Sequence, residues 1–290
     1  MKTKPINECP VPKGILVVIG GKENKGEEPE KEVQKDKPER LEVLKSFIHL
    51  TGKEAPVIQV ITTASSQGAE LFEEYQKAFI ELGAKEVERI HHETREEALN
   101  DADSCVERLK RADGVFLTGG DQLKLTTIYG GTVILFCLKI RYIKDGITIA
   151  GTSAGAMAMS TPMIYAGNED VQQISGEIRI TTGLEFLKDV CIDTHFVDRG
   201  RFVRMAQVVA TNPTCIGMGI EEDTALIVRN GLEAEVCGSG TVIIIDGQGI
   251  KTSNISDHGD HASISIKGLR VDLLSRGDIF LIPQNNPPHI

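Results

Sequence analysis

Three residues far apart in the chain have the types that acyl transfer needs: Ser153, His195 and a carboxylate at Glu221 or Glu222. Ser153 sits in Gly151-Thr-Ser-Ala-Gly155, a G-x-S-x-G turn between the apolar run Ile147 to Ala150 and a helix-compatible segment, Ala154 to Met159. In that setting the glycines permit a sharp, strained bend. The bend lifts the serine Oγ to the sheet edge and aims a following backbone N–H at the same point. A turn of Gly, Ser and Ala can equally serve to bring a helix close to a sheet, so the partners of the serine decide between packing and reaction. On the reactive reading, Gly151, Ala154 and Gly155 are small so that a peptide carbonyl can reach Ser153.

A serine nucleophile needs a base, and the chain has seven histidines. His91 and His92 lie in a polar segment and His289 near the end, whereas His195 closes the strand-like run Val190-Cys-Ile-Asp-Thr194. A histidine at a strand's carboxyl end can act as general base or simply as a hydrogen-bonded structural residue. The orienting acid would come from Gly219-Ile-Glu-Glu-Asp223. In a strand, Glu221 and Glu222 point to opposite faces and one alone reaches His195; the spacing favours Glu222.

A second glycine turn, Gly119-Gly120-Asp121-Gln122, offers backbone N–H groups to an oxyanion, with Gly120 and Ala154 as the expected pair. Losing one such donor typically costs ~10² to 10³ in rate. Its plainer reading is a strand-to-helix turn with Asp121 as N-cap. Beyond His195 stand Arg199, Arg201 and Arg204. If a helix begins near Gly200, Arg201 and Arg204 share a face, and their guanidinium forks suit carboxylate capture; the alternative is a solvated basic face paired with the protein's own acids. Asp257-His258-Gly-Asp260-His261 reads as a polar hairpin loop rather than a metal cluster. Neither a Walker loop nor G-x-G-x-x-G is present at Gly20-Gly21, and no cofactor is implied.

Positioning these groups requires a sheet. Short apolar runs at Gly14 to Gly21, Pro56 to Thr62, Gly114 to Thr118 and Gly146 to Ala150 alternate with helix-like segments such as Gly68 to Leu82 and Ala98 to Ala112. This is the pattern of an α/β fold, a doubly wound and mostly parallel sheet with ligands beyond the strands' carboxyl ends. From Leu232 onward, Thr241 to Ile245, Ala262 to Lys267 and Asp278 to Pro283 read as extra antiparallel strands, added to the sheet or packed beside it. Lys22 to Arg40 is a mixed-charge run, read as a flexible solvated loop away from the motifs.

The 290 residues, 40% of them hydrophobic, can bury a full core and fit one domain over residues 1–290. A formal charge of −10 argues against nucleic acid and anionic membranes as partners. Six cysteines without a CxxC pair read as free thiols in a reducing compartment. MKTKPINECPVP lacks the apolar core of a signal peptide and no apolar stretch reaches membrane-spanning length, so a cytoplasmic protein is expected.

Together, Gly119-Gly-Asp-Gln122, Gly151-Thr-Ser-Ala-Gly-Ala156, Asp193-Thr-His195 with its arginines, and Gly219-Ile-Glu-Glu-Asp-Thr-Ala225 resemble the cyanophycinases, serine peptidases whose relatives include aspartyl dipeptidases. The likeness runs in order from the Gly14 strand to at least Val228, with the presumed triad members separated by 42 and 27 positions. It implies a flavodoxin-like fold related to class I glutamine amidotransferases, with Ser153 as nucleophile, His195 as base and Glu222 as acid. Gln122, Asp193, Thr194, Arg199, Arg201 and Arg204 would fall on substrate-binding positions, and a homodimer is implied. The implied substrate is cyanophycin, a polyaspartate bearing arginine on each β-carboxyl, released as β-Asp-Arg dipeptides through an acyl-enzyme. The sequence departs at Thr194, where these enzymes usually carry glutamine. Two other readings follow: an α-aspartyl dipeptidase or other acidic-peptide peptidase on the same scaffold, and a non-catalytic peptide-binding protein.

Overall fold

The first strand, Ile15–Ile19, alternates its side chains between two layers. Leu16 and Val18 are buried in one apolar cluster and Val17 and Ile19 in another, as a strand covered on both faces requires. This computed structural model describes residues 10–25, 41–167, 178–256 and 264–283. An eight-stranded sheet runs in the order Ile279–Leu281, Glu233–Gly238, Thr224–Arg229, Ile15–Ile19, Thr148–Thr152, Gly114–Leu117, Val57–Ile61, Glu86–Ile90. From Ile15–Ile19 to Glu86–Ile90 the pairing is parallel; the other three strands add antiparallel.

One face of this sheet is closed by the helices Glu42–Leu50 and Gly68–Glu81. The second presents Tyr75, Ala78 and Phe79 on one stripe, the spacing that buries a single helical side. Tyr75 and Phe79 meet Phe116 of the sheet at ring-centroid distances of 4.6 and 5.3 Å, and Phe47 lies 5.6 Å from Phe116. Each fully buried phenylalanine contributes about 1.5 to 3 kcal/mol. The opposite face shares its apolar cluster with a second sheet, ordered Arg270–Leu274, Val242–Asp246, Ile216–Ile220, Val190–Thr194, Ser160–Thr161, Leu187–Lys188.

The expected α/β fold is present, with a large, mostly parallel sheet and extra late strands, and part of the chain forms a second sheet packed beside the first. Val190–Thr194 pairs in parallel with Ile216–Ile220 and belongs to the second sheet, so His195 reaches the site from a different sheet than Ser153 does. Among the late strands, Glu233–Gly238 and Ile279–Leu281 join the large sheet and Val242–Asp246 and Arg270–Leu274 the small one, while Thr252–Ser253 and Ile266–Lys267 pair only with each other. The expected helix from Ala98 to Ala112 is two, Arg95–Asn100 and Ala102–Arg111. The chain turns between them at Asp101, whose carboxylate takes Arg108 at 2.9 Å and His92 at 3.3 Å. Residues 257–263, and with them the Asp257 to His261 hairpin and the start of the strand read at Ala262, lie outside the described residues. Among the described residues no single helix is long and apolar enough to cross a membrane.

Candidate active site

The two sheets meet at the ends of four strands, and the candidate residues gather there. Ser153 follows Thr148–Thr152 and His195 follows Val190–Thr194. Glu221, Glu222 and Asp223 form the short passage from Ile216–Ile220 of the small sheet to Thr224–Arg229 of the large one. The parallel register sets Ile19 opposite Thr152, and Ile19 O accepts the Ser153 N–H at 3.0 Å.

Ser153 Oγ lies 3.0 Å from His195 Nε2, and His195 Nδ1 lies 2.7 Å from Glu222 Oε1. An ionised carboxylate accepts only, so Nδ1 carries the hydrogen and Nε2 is left to accept from the serine hydroxyl. Glu221 is excluded from this chain of contacts because its Oε2 takes the Thr241 N–H at 2.6 Å. The two glutamates separate as the sequence suggested, although for a different reason: they lie in the turn after the strand rather than within it.

The backbone here is strained. Of the eight non-glycine residues with positive φ among the described residues, Lys22 (45°), Ser153 (51°), His195 (50°) and Asp223 (49°) converge on this spot. Such conformations cost about 1 to 3 kcal/mol each and gather where geometry matters more than stability. Ser153 also has ψ −116°, and the short helix Ala154–Met157 starts immediately after it. The expected role of the flanking glycines needs correcting. A Cβ on Gly155 would stand 2.3 Å from Leu117 O, and one on Gly151 would stand 2.6 Å from Gly155 O. Their smallness lets the turn pack against its own neighbours; it clears no path for substrate.

A cleft of about 200 Å³ opens at Ser153, lined by Gly120, Gln122, Ala154, Thr194, Arg199, Arg201 and Arg204 among others. Gly120 and Ala154, the expected oxyanion donors, both border it, and Gly120 adopts φ 138° where a Cβ would meet Ala64 O at 2.1 Å. Asp121 caps the helix Gln122–Tyr129 through Leu123 N–H at 2.8 Å, so the glycine turn serves the helix as well as the cleft. The Gln122 amide donates to Ile164 O at 2.8 Å. Two larger clefts, about 410 Å³ at Thr126 to Lys139 and about 300 Å³ at Glu42 to Leu50, lie elsewhere and contain none of the candidate residues.

Asp193 is brought beneath the cleft rather than into it. It is fully buried, and its carboxylate takes Arg201 Nη1 at 2.9 Å, Arg204 Nε at 2.6 Å, Arg204 Nη2, and the Thr194 N–H at 2.9 Å. The expected substrate contact at Asp193 is therefore replaced by a supporting one: it holds two guanidinium groups against the cleft wall. Among the described residues, three arginines against one carboxylate leave the wall with excess positive charge, which suits an anionic ligand. The helix starts at Phe202, slightly later than the sequence suggested, with Arg201 as its N-cap residue.

Lys22 is the residue that sequence reasoning missed. Its Nζ lies 2.8 Å from Glu222 Oε1, so this part of the charged run is no loop remote from the motifs. Only residues 22–25 of that run are described. Burial alone would push the Glu222 carboxyl up; the hydrogen bonds from Lys22 and His195 outweigh it and hold it below the ordinary carboxylate range. Burial also lowers His195, and the Arg199 and Arg201 charges add to that against the raising hydrogen bond from Glu222.

A base with a depressed pKa stays unprotonated further into acid. The acid limb of a kcat/KM profile, which reports the free enzyme, is expected below the pH at which an unperturbed histidine titrates. A limb at or above that pH would count against His195 as the base.

Among the described residues no group of three or more His, Cys, Asp or Glu side chains is arranged to hold a metal ion. The five described cysteines are free thiols, and Cys9 lies outside the described residues.

A family model, Peptidase family S51, matches residues 32–235, a span that includes Ser153, His195 and Glu222. The chain is similar to the cyanophycinase of Nostoc sp., 32% identical over 272 residues, covering 94% of this chain and 87% of that protein. It is also similar to the cyanophycinase of Geminocystis herdmanii, 29% identical over 263 residues, covering 91% and 92%. A crystal structure of a peptidase from an acI-B1 actinobacterium superposes with a TM-score of 0.63 at 23% identity, covering 93% of this chain and 98% of that one, a likeness of fold.

Proposed function

Since the chain belongs to peptidase family S51 and is a serine peptidase of that family, we propose that it hydrolyses cyanophycin and releases β-Asp-Arg dipeptides, with Ser153, His195 and Glu222 as its catalytic unit. His195 Nε2 takes the hydroxyl proton as Ser153 Oγ bonds to an aspartyl carbonyl carbon. Oxyanion charge develops between the Gly120 and Ala154 N–H groups. The C–N bond breaks as the imidazolium returns the proton to the leaving amine. Water then attacks the acyl-serine, giving its proton to His195, and Oγ departs with that proton. Glu222 keeps Nδ1 protonated and faces the positive charge on the ring throughout.

The observation that carries the substrate class is the wall of Arg199, Arg201 and Arg204 beside Ser153, with one counter-carboxylate among the described residues, Asp193, consumed underneath. A polyaspartate backbone offers carboxylates to such a wall, and holding them fixes the scissile carbonyl near Oγ. Thr194 favours a second activity, that of an α-aspartyl dipeptidase or other acidic-peptide peptidase, because a threonine lines this cleft where cyanophycinases usually carry glutamine. The purified protein incubated with cyanophycin is expected to yield β-Asp-Arg, read by mass spectrometry, with Asp-X dipeptides turned over more slowly. Faster release from Asp-X dipeptides with no β-Asp-Arg would replace cyanophycin by short acidic peptides as the substrate.

A further inference from the structure

The loop from Gly20 to Asn24, which follows the first strand of the large sheet, touches each of the elements that carry Ser153, His195 and Glu222. Gly20 O accepts the His195 N–H at 2.9 Å, and the Gly20 N–H donates to Thr224 O at 2.9 Å. Gly21 O accepts the Asp223 N–H at 2.9 Å, and the Asn24 N–H donates to Asp223 Oδ1 at 3.0 Å. The imidazole lies directly against Gly21: a Cβ there would stand 2.4 Å from both Cε1 and Nε2 of His195, and φ of +103° disfavours any other residue. Glu23, 4% exposed, turns inward. Its carboxylate receives the Thr152 hydroxyl at 2.6 Å and the Tyr75 hydroxyl. The loop is thus fastened on both sides of Lys22, whose ammonium meets the same Glu222 oxygen that accepts from His195 Nδ1.

From this geometry we propose that Lys22 is a positioning residue for the hydrolysis, holding the Glu222 carboxylate in line with His195 Nδ1 and setting the pH at which His195 becomes available as the base. This rests on the reading of Ser153, His195 and Glu222 as one catalytic unit. The charged groups acting on the imidazole are Glu222 from the turn and Arg199 and Arg201 from its own segment; Lys22 from the loop reaches the ring through Glu222, and Asp223 beside it is held by the Asn24 N–H. Among the described residues, Lys22 alone of the cations shares the acid's oxygen with the ring. An ammonium at that oxygen draws electron density from the carboxylate and repels the imidazolium, so the protonated ring is stabilised less and the neutral base persists to lower pH. No proton passes through Lys22; its effect is electrostatic and orientational.

The test is the pH dependence of Ser153 labelling by a fluorophosphonate, which requires no particular peptide. It is run on the full chain as wild type, Lys22→Met and Lys22→Arg, with thermal melts to show that each variant is folded. In Lys22→Met the acid limb is expected to move up by roughly 0.2 to 0.7 pH unit, the range for one solvent-screened charge pair. The shift should shrink at high ionic strength, because the Lys22 side chain is 69% exposed. Lys22→Arg should return the limb to the wild-type position. A limb that stays put in Lys22→Met, or that moves alike in both variants, overturns the proposal. Absence of labelling in the wild type overturns the reading of Ser153 as nucleophile, and this inference with it.

Discussion

Ser153→Ala is expected to lower kcat by roughly 10⁴ to 10⁶, with the melting temperature little changed. The size follows from what the hydroxyl does. Its Oγ is the atom placed 3.0 Å from His195 Nε2 at the mouth of the cleft, and no other hydroxyl, thiol or amine is bonded to that nitrogen among the described residues. Alanine occupies the same backbone conformation at φ 51° without new strain, so packing around the turn should persist. Residues that act as one unit are non-additive, and Ser153→Ala/His195→Ala should therefore be little slower than either single variant. Steady-state peptide release measured beside thermal melts checks both points. Activity of Ser153→Ala within tenfold of wild type would mean that water, not Ser153, is the nucleophile.

The second large effect falls on stability. Asp193→Asn should cost about 3 to 5 kcal/mol, the penalty for leaving buried charge without its partner. The carboxylate is completely buried, and the side chains of Arg201 and Arg204 that surround it are each 10% exposed. Removing one negative charge strands two guanidinium groups in a region that water hardly enters, and an amide can accept from only some of their N–H donors. For a chain of this size such a loss lowers the melting temperature by roughly 5 to 15 °C. Arg199→Ala provides the contrast: an exposed side chain in the same segment, whose removal should stay within about 0.5 kcal/mol in chemical denaturation. Equal losses in both variants would show that Asp193 is not the anchor of the arginine wall.

The catalytic candidates were legible because each follows an apolar run that ends at a turn, a pattern written in local hydrophobicity. Ser153, His195 and Glu222 could be ordered along the chain, and the distances join those same residues. Burial direction was not legible. Asp193 sits beside three arginines in sequence, and only the fold shows its carboxylate pointing beneath the cleft. Gly151 and Gly155 read as room for substrate because their neighbours in space, Leu117 O and Gly155 O, come from packing that sequence spacing does not display. Lys22 was hidden by composition: a lysine opening a run of mixed charge looks solvated, and its contact is set by a glycine pair and an inward-turning Glu23. The small sheet escaped for a related reason. Its strands are buried apolar runs like those of the large one, and periodicity carries no label saying which sheet a strand will join.

The meeting of the two sheets has a consequence for the protein's life before it is finished. Ser153 and the Gly20 loop belong to one sheet, His195 to the other, and Glu222 to the thread between them. Neither sheet holds both the proposed nucleophile and its proposed base. On that proposal, a chain whose sheets have not yet packed together leaves the Ser153 hydroxyl without its His195 acceptor. The architecture would then work as a safety catch, with hydrolysis requiring the two sheets to be packed against each other.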